Sequence, residues 1–102
     1  MIRVVAVLTT KPGRRDELLA ACKAILPVVR AEEGCVEYAP YIDADGIGAF
    51  QAKFGPDTLV ILETWESPEA LAAHAVADHM KEYGKKIRDL LESRAIHVLS
   101  AA

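Results

Sequence analysis

The sequence predicts an α+β protein in which helices cover one face of a mainly antiparallel sheet and a second copy of the chain covers the other. The predicted elements follow the order strand, helix, strands, helix, strand, and two of the strands are apolar on both faces. Helices in such a layer can cover only one face of the sheet. The remaining apolar face needs a cover, and an identical subunit is the simplest one.

The first half of the chain predicts a strand, a helix and a second strand. Residues 2–10 are β-branched and apolar and predict the first strand, which Lys11-Pro12-Gly13 ends. Apolar residues then recur at helical spacing from residue 14 to residue 32. Residues 36–43 predict the second strand, and Asp43-Ala44-Asp45-Gly46 predicts the turn that follows it.

The second half of the chain predicts two strands, a broken helix and a last strand. A short strand is expected over 48–53, and residues 58–65 form a continuous apolar strand. Ser67-Pro68-Glu69 begins the next helix, with serine as the N-cap and proline at the first helical position. We expect this helix to break near residues 76–78 before it continues, and a final short strand to span 95–100.

Together these elements predict a ferredoxin-like split β-α-β sandwich with an antiparallel sheet, as a single domain over residues 1–102. On the first strand Val4 and Ala6 point to one face and Val5 and Val7 to the other, so neither face is polar. We therefore expect a homodimer, a dimeric α+β barrel, whose subunits cover each other's sheet and enclose an apolar pocket.

Composition and charge restrict the classes of partner. The formal net charge of the 102 residues is -3, and without a basic patch we expect no nucleic-acid partner. No apolar stretch approaches the ~20 residues of a membrane-spanning helix. We expect a cytoplasmic protein without a membrane partner. Cys22 and Cys35 do not have the spacing of metal ligands, so both are interpreted as structural thiols and no metal site is expected.

Ionisable and aromatic side chains are concentrated in the second half of the chain. His74 and His79 are candidate catalytic residues, because an imidazole can take a proton from a phenol near neutral pH. Glu63 and Trp65 share one strand face, and Tyr83 shares a helical face with His79. The alternative is that each of these residues has only a structural role.

Two pairs of residues in the first half of the chain are further candidates for the site. Tyr38 and Tyr41 are three residues apart in one strand, so only one of them can face a given pocket, and we expect this to be Tyr38. Glu32 and Glu33 come at the end of the first predicted helix. They are interpreted as a solvated helix end rather than as catalytic groups.

Several stretches of the chain resemble a known family. In chain order they are Lys11-Pro12-Gly13, Arg30-Ala31-Glu32-Glu33-Gly34-Cys35-Val36-Glu37-Tyr38, Val60-Ile61-Leu62-Glu63-Thr64-Trp65-Glu66-Ser67 and Glu69-Ala70-Leu71-Ala72-Ala73-His74. Their order and spacing are similar to those of the antibiotic biosynthesis monooxygenase family, over essentially the whole chain. The stretches Phe50-Gln51 and His79-Met80-Lys81 resemble its quinol monooxygenase branch.

The resemblance implies a dimeric ferredoxin-like barrel that oxidises a quinol or a hydroxylated polycyclic aromatic with O₂, without metal, flavin or haem. A deprotonated quinol can give electrons to O₂ directly, so the protein must bind the ring in a dry pocket, remove a proton and stabilise the anion. In this hypothesis His74 or His79 is the base. The substrate is then held by Trp65, Phe50 and Met80 as ring contacts, by Tyr38 or Tyr83 as hydrogen-bond donor, and by Glu63, which orients a histidine or pairs with a cation.

Two other functions stay open at the level of sequence. One branch of the family isomerises small phosphorylated signal metabolites and also carries paired histidines; Lys81, Lys85 or Lys86 would then supply cationic groups. The other possibility, from a different class, is a non-catalytic dimeric barrel that binds an apolar ligand. The first strand has no asparagine, which counts against the haem-degrading activity of further members.

Overall fold

The computed structural model describes residues 1–102 as one four-stranded antiparallel sheet with three α-helices. The strands lie in the order β2-β3-β1-β4, which is the ferredoxin-like α+β arrangement that the sequence predicts. None of the helices is long and apolar enough to cross a membrane. The elements in chain order are β1 (Ile2–Thr10), α1 (Arg15–Arg30), β2 (Cys35–Tyr41), β3 (Thr58–Trp65), α2 (Pro68–Ala75), α3 (Asp78–Ile87), a short 3-10 turn (Arg88–Leu90) and β4 (Leu91–Leu99).

Local sequence signals set the boundaries of α2 and α3. The hydroxyl of Ser67 accepts a hydrogen bond from the amide of Ala70 at 3.1 Å, and Pro68 occupies the first turn. Ala77 has extended backbone angles, φ -64° and ψ 142°, and separates the two helices. The predicted cap and the predicted break near residues 76–78 are both confirmed.

The strand predicted over 48–53 is wrong. These residues lie in the long connection between β2 and β3, and Gly48 has a φ of +137°, which interrupts an extended backbone. The amides of Phe54 and Gly55 donate to the carboxylate of Asp43 at 3.0 and 2.8 Å. Within the predicted strand itself, the amide of Gln51 donates to the carbonyl of Gly48 at 3.2 Å, which is a turn and not pairing with a neighbouring strand.

The last strand is longer than predicted. It begins at Leu91 instead of residue 95, and it pairs with β1 from Thr10 to Arg3. The residues at its start, Glu92, Ser93 and Arg94, are polar and exposed. An edge strand tolerates such residues because one of its faces can remain in water, so hydrophobicity alone does not show where this strand begins.

The core lies between the sheet and the helices. Val4, Ala6 and Leu8 of β1 are buried against residues of α1 and α3, whereas Val5 and Val7 on the opposite face are half-buried. The helix side of the sheet is thus buried at β1 but leaves Ile96 and Val98 of β4 exposed, although they pair with Ala6 and Val4 and share their face. Both faces of the sheet therefore keep some apolar surface open.

Gly34, which lies between α1 and β2, is the position where an added side chain is tolerated least. Its φ is +82°, and a Cβ there would lie 2.5 Å from the Cβ of Ala70 in α2. We expect Gly34→Ala to lower the free energy of unfolding by about 2–4 kcal/mol, from backbone strain and overpacking together. Urea denaturation followed by circular dichroism measures this change.

Gly84→Ala is the matched control for Gly34→Ala. Gly84 lies inside α3 and has no atom within 4 Å of an added Cβ. Because alanine has the higher helix propensity, this variant should be more stable than the wild type by about 0.5–1 kcal/mol. Equal unfolding midpoints for Gly34→Ala and the wild type would show that the close contact between Gly34 and Ala70 does not exist in solution.

Candidate active site

A cavity of about 230 Å³ lies between the sheet and the helices α2 and α3. Its wall is mostly apolar and includes Val4 and Leu8 of β1, Ile61 of β3, and Met80 and Ile87 of α3. The volume exceeds the ~150 Å³ that admits benzene in an apolar protein cavity, so a small aromatic molecule fits.

Four buried polar side chains, together with the exposed Arg94 of β4, interrupt the apolar wall. The four buried side chains come from different elements: Tyr38 from β2, Glu63 from β3, His74 from α2 and Tyr83 from α3. Polar groups that converge on an apolar cavity fix the orientation of a ligand. The cavity wall thus brings Tyr38, Glu63, Met80 and Tyr83 together with His74.

His74 and His79 both bind the same oxygen of Glu32. His74 Nδ1 and His79 Nε2 each lie 2.8 Å from Glu32 Oε2. An ionised carboxylate only accepts hydrogen bonds, so His74 Nδ1 and His79 Nε2 are the nitrogens that carry protons. The neutral ring of His74 therefore has an unprotonated Nε2.

The break between α2 and α3 is what allows both histidines to reach one carboxylate. His74 lies near the end of α2, and His79 is the second residue of α3. In a continuous α-helix, residues five positions apart point about 140° away from each other. The extended residue Ala77 redirects the chain between them, and Glu32 comes to the same place from the end of α1.

The ring of His74 is held by two aromatic neighbours. Its centroid lies 4.6 Å from that of Trp65 and 5.6 Å from that of Tyr38. His74 borders the cavity, and its Nε2 makes no hydrogen bond within the protein. His79 is not part of the cavity wall, and 31% of its side chain is exposed. Spacing in the sequence does not distinguish the two histidines. Their positions in the fold do, because only His74 borders the cavity.

Trp65 and Phe50 lie outside the cavity wall. Trp65 is completely buried, and its indole N–H donates to Glu63 Oε1 at 2.9 Å. Phe50 lies in the connection between β2 and β3 with 86% of its surface exposed. Neither side chain reaches a ligand in this cavity directly, although Trp65 packs against the ring of His74.

Glu63 binds Trp65 and forms no hydrogen bond or ion pair with a histidine or a cation. The expectation that Glu63 orients a histidine or pairs with a cation is therefore wrong. Burial raises the pKa of its carboxyl, while the hydrogen bond from Trp65 and the nearby His74 act in the opposite direction. Its neutral form is thus more accessible than that of a surface glutamate.

Glu32, and not Glu63, is the carboxylate that binds the two histidines. The interpretation of Glu32 as a solvated helix end is therefore wrong. Only 14% of its side chain is exposed, because the turn after α1 directs the carboxylate toward α2 and α3. Composition and periodicity contain no signal for this. The only hint in the sequence is that Glu32 belongs to the stretch from Arg30 to Tyr38 that carries the family resemblance.

The two phenols in the cavity wall are protonated and can each donate a hydrogen bond. Burial raises the pKa of Tyr38 and of Tyr83, so both stay protonated at neutral pH. The hydroxyl of Tyr83 has no hydrogen-bond partner of good geometry, and the neighbouring thiol of Cys22 is only a weak hydrogen-bonding group. An unpaired buried hydroxyl at a cavity wall suits a ligand that carries an oxygen acceptor.

We expect Tyr83→Phe to separate stability from binding. The free energy of unfolding should stay unchanged or rise by up to about 1 kcal/mol, because a buried unpaired hydroxyl is removed. Affinity for a hydroxylated aromatic ligand should fall by about tenfold if the hydroxyl binds that ligand. Urea denaturation and fluorescence titration measure the two quantities, with the exposed Tyr41→Phe as control. A loss of more than about 1 kcal/mol in stability would mean that the hydroxyl is bonded in the free protein.

Comparison with known proteins identifies relatives over most of the chain. The sequence model of the family described as antibiotic biosynthesis monooxygenase matches residues 1–86. An Escherichia coli protein named "Probable quinol monooxygenase YgiN" is 40% identical over 95 residues, which cover 90% of this chain and 90% of the relative. Rv0793 of Mycobacterium tuberculosis is 31% identical over 90 residues, which cover 88% of this chain and 79% of the relative.

Solved structures share the fold over nearly the full length. A conserved protein from Methanosarcina mazei superimposes with a TM-score of 0.83 at 28% identity, covering 99% of this chain and 92% of the other. The structure of Rv0793 superimposes with a TM-score of 0.80 at 30% identity, covering 99% and 94% of the two chains. The predicted ferredoxin-like α+β fold is therefore confirmed by sequence and by structure.

Proposed function

Because the chain belongs to the antibiotic biosynthesis monooxygenase family, we propose that it is a cofactor-independent monooxygenase that oxidises a quinol or a hydroxylated polycyclic aromatic with O₂. One observation carries this proposal. The 2.8 Å hydrogen bond between His74 Nδ1 and Glu32 leaves His74 Nε2 without a proton at the wall of an apolar cavity. The name of the E. coli relative supports quinols as the substrate class.

The first step is removal of a proton from a hydroxyl of the bound ring. His74 Nε2 accepts this proton, and the positive charge that develops on the imidazole is stabilised by the carboxylate of Glu32 at Nδ1. Packing against the tilted ring of Trp65, whose centroid lies 4.6 Å away, restricts the orientation of the imidazole. Glu32 thus acts as a positioning residue, and His74 is the catalytic base.

The second step is the reaction of the deprotonated ring with O₂. The quinolate supplies all four electrons: one oxygen atom forms a C–O bond to a ring carbon, and the other leaves as water. The products are a hydroxyquinone and H₂O, so the balance requires no external reductant. The apolar wall contributes by excluding water, which keeps the anion reactive and the polar contacts strong.

The phenols and Glu63 orient the substrate in this account. Tyr38 and Tyr83 donate hydrogen bonds to oxygen atoms of the ring system, and Met80 contacts its apolar surface. Glu63, with its raised pKa, is placed to share a proton with a second substrate oxygen. His79 supports Glu32 from outside the cavity, since it binds the same carboxylate oxygen.

We also propose that the working unit is a homodimer in the cytoplasm. Val5 and Val7 are only half-buried on the sheet face opposite the helices, and Leu99 of β4, which shares that face, is about half exposed. Ile96 and Val98 on the helix side of the same edge strand are also about half exposed. An apolar surface of this kind is typical of a protein interface. Sedimentation at low micromolar concentration tests this, with a monomer as the contradicting result.

Oxygen uptake tests the proposed reaction. Purified, chelator-treated protein is added to a panel of naphthoquinols and hydroxyanthrones in an oxygen electrode, and uptake above the spontaneous rate is expected for at least one of them. No uptake above that rate with any compound would contradict the proposal. Tight quinone binding without uptake would instead indicate a non-catalytic ligand-binding barrel.

A basic cleft beside the cavity favours one second candidate, isomerisation of a small phosphorylated metabolite. The cleft has a volume of about 640 Å³, is lined by Lys81, Lys85, Arg88 and Arg94, and shares Arg94 with the cavity wall. Four cations suit a phosphate group. Conversion of a phosphorylated sugar-like compound without oxygen uptake would support this candidate over the monooxygenase.

A further inference from the structure

We propose that Glu32, His74 and His79 form a binding site for a divalent transition-metal ion such as Zn²⁺. Each residue supplies one donor atom: Glu32 Oε2, His74 Nδ1 and His79 Nε2, and these atoms lie within 4.8 Å of one another. They come from three separate segments of the chain, so no spacing in the sequence reveals them. The spacing of the cysteines, Cys22 and Cys35, predicts no metal site.

The three donors are already close to the geometry that a metal requires. Both nitrogens lie 2.8 Å from the carboxylate oxygen. Around tetrahedral Zn²⁺, with bonds of about 2.0–2.2 Å, neighbouring donor atoms are roughly 3.3 Å apart. Shifts of about an ångström, within the reach of side-chain rotation, therefore replace the two hydrogen bonds to Glu32 by bonds to a metal.

The donor set selects a class of metal. Two imidazole nitrogens and one carboxylate oxygen suit Zn²⁺, Cu²⁺, Ni²⁺ and Fe²⁺, whereas Ca²⁺ and Mg²⁺ prefer sites made of oxygen atoms. Three protein ligands leave at least one coordination position for water. We therefore expect Zn²⁺ and Co²⁺ to bind and Mg²⁺ to bind poorly.

The three donor residues are held rigidly on the side of His74 and are open to solvent on the side of His79. His74 is almost completely buried and is held by Trp65, whereas 31% of the His79 side chain is exposed. An ion can thus enter from the side of His79 without disturbing the sheet. The carboxylate of Glu32 compensates one of the two positive charges of the ion.

Metal binding has a consequence for His74 that rests on the proposed function. A metal on Nδ1 occupies the lone pair of that nitrogen, so the proton of the neutral ring moves to Nε2. A protonated Nε2 cannot accept a proton from a substrate in the cavity. The bound ion therefore inhibits oxygenation, because it holds His74 in the tautomer whose Nε2 carries the proton.

Isothermal titration of untagged, chelator-treated protein with Zn²⁺ tests the site without any substrate. We expect one ion per chain, and Co²⁺ should give a visible absorption band from coordinated nitrogen and oxygen ligands. Glu32→Gln, His74→Gln and His79→Gln should each weaken binding by about tenfold or more. Two controls should bind as the wild type does: His97→Gln, which removes an exposed histidine on β4, and Cys35→Ser, which removes a half-buried thiol.

Different results would contradict the metal site, its inhibitory role and the proposed function. Absence of Zn²⁺ binding at millimolar concentration, or binding that is lost in Cys35→Ser and kept in the three site variants, would overturn the site. Oxygen uptake that is unchanged or stimulated by bound Zn²⁺ would overturn the inhibitory role. Zn²⁺ binding in a protein that shows no oxygen uptake would leave the metal site standing and contradict the proposed function.

Discussion

Replacing His74 by glutamine is expected to lower turnover of the proposed quinol substrate by about 100-fold or more, because the cavity then loses the proposed proton acceptor. Glutamine has a similar reach and is neutral, so it can still donate to Glu32 and fill most of the space beside Trp65. The fold should therefore be kept, which circular dichroism verifies. The rate is measured as oxygen consumption at saturating substrate, after subtraction of the spontaneous rate.

His79→Gln is the matched control for His74→Gln. His79 binds the same oxygen of Glu32 but is not part of the cavity wall. Its loss should reduce turnover by less than about tenfold, since only the support of Glu32 is weakened. If His74→Gln keeps full activity, or if His79→Gln is the more damaging change, the proton goes to another group and the assignment of His74 is wrong.

Replacing Trp65 by alanine lowers the free energy of unfolding by about 3–5 kcal/mol, the cost of deleting a fully buried aromatic side chain. Trp65 is completely buried at the end of β3, and it packs against His74. Its loss also removes the indole N–H that binds the buried carboxyl of Glu63. Urea denaturation measures the change in stability.

Trp65→Phe separates packing from the hydrogen bond. Phenylalanine keeps most of the buried apolar surface, so the loss of stability should be clearly smaller than for alanine. The pKa of Glu63 should rise further, because the hydrogen bond from Trp65 is one of the interactions that lower it. A loss of less than about 1 kcal/mol for Trp65→Ala would contradict the placement of this ring in the core.

The sheet could be predicted from the sequence where apolar residues are bounded by strong turn signals. β3 begins and ends at the predicted residues, Thr58 and Trp65, because a continuous apolar run lies between Gly55-Pro56-Asp57 and Ser67-Pro68. The connection between β2 and β3 has no such run. Its conformation depends on the contact of Asp43 with amides eleven and twelve residues away, which local patterns do not encode.

Most residues of the candidate site could be predicted from the sequence, but Glu32 and the arrangement of the residues could not. His74 and His79 stand out as ionisable residues on helices, yet only the turn at Ala77 brings them to one carboxylate. Glu32 comes to that point from a different helix end. Phe50 belongs to the same family stretches, but it lies on an exposed loop that one chain leaves uncovered.

The protonation of His74 in the free protein tests the central claim most directly. Nitrogen-15 NMR of the imidazole, in chelator-treated protein at a pH where the ring is neutral, identifies which nitrogen carries the proton. The account predicts a proton on Nδ1, hydrogen-bonded to Glu32, and an unprotonated Nε2 at the cavity. A neutral ring protonated at Nε2 would contradict it, because Nε2, the nitrogen proposed to accept the substrate proton, would then have no free lone pair.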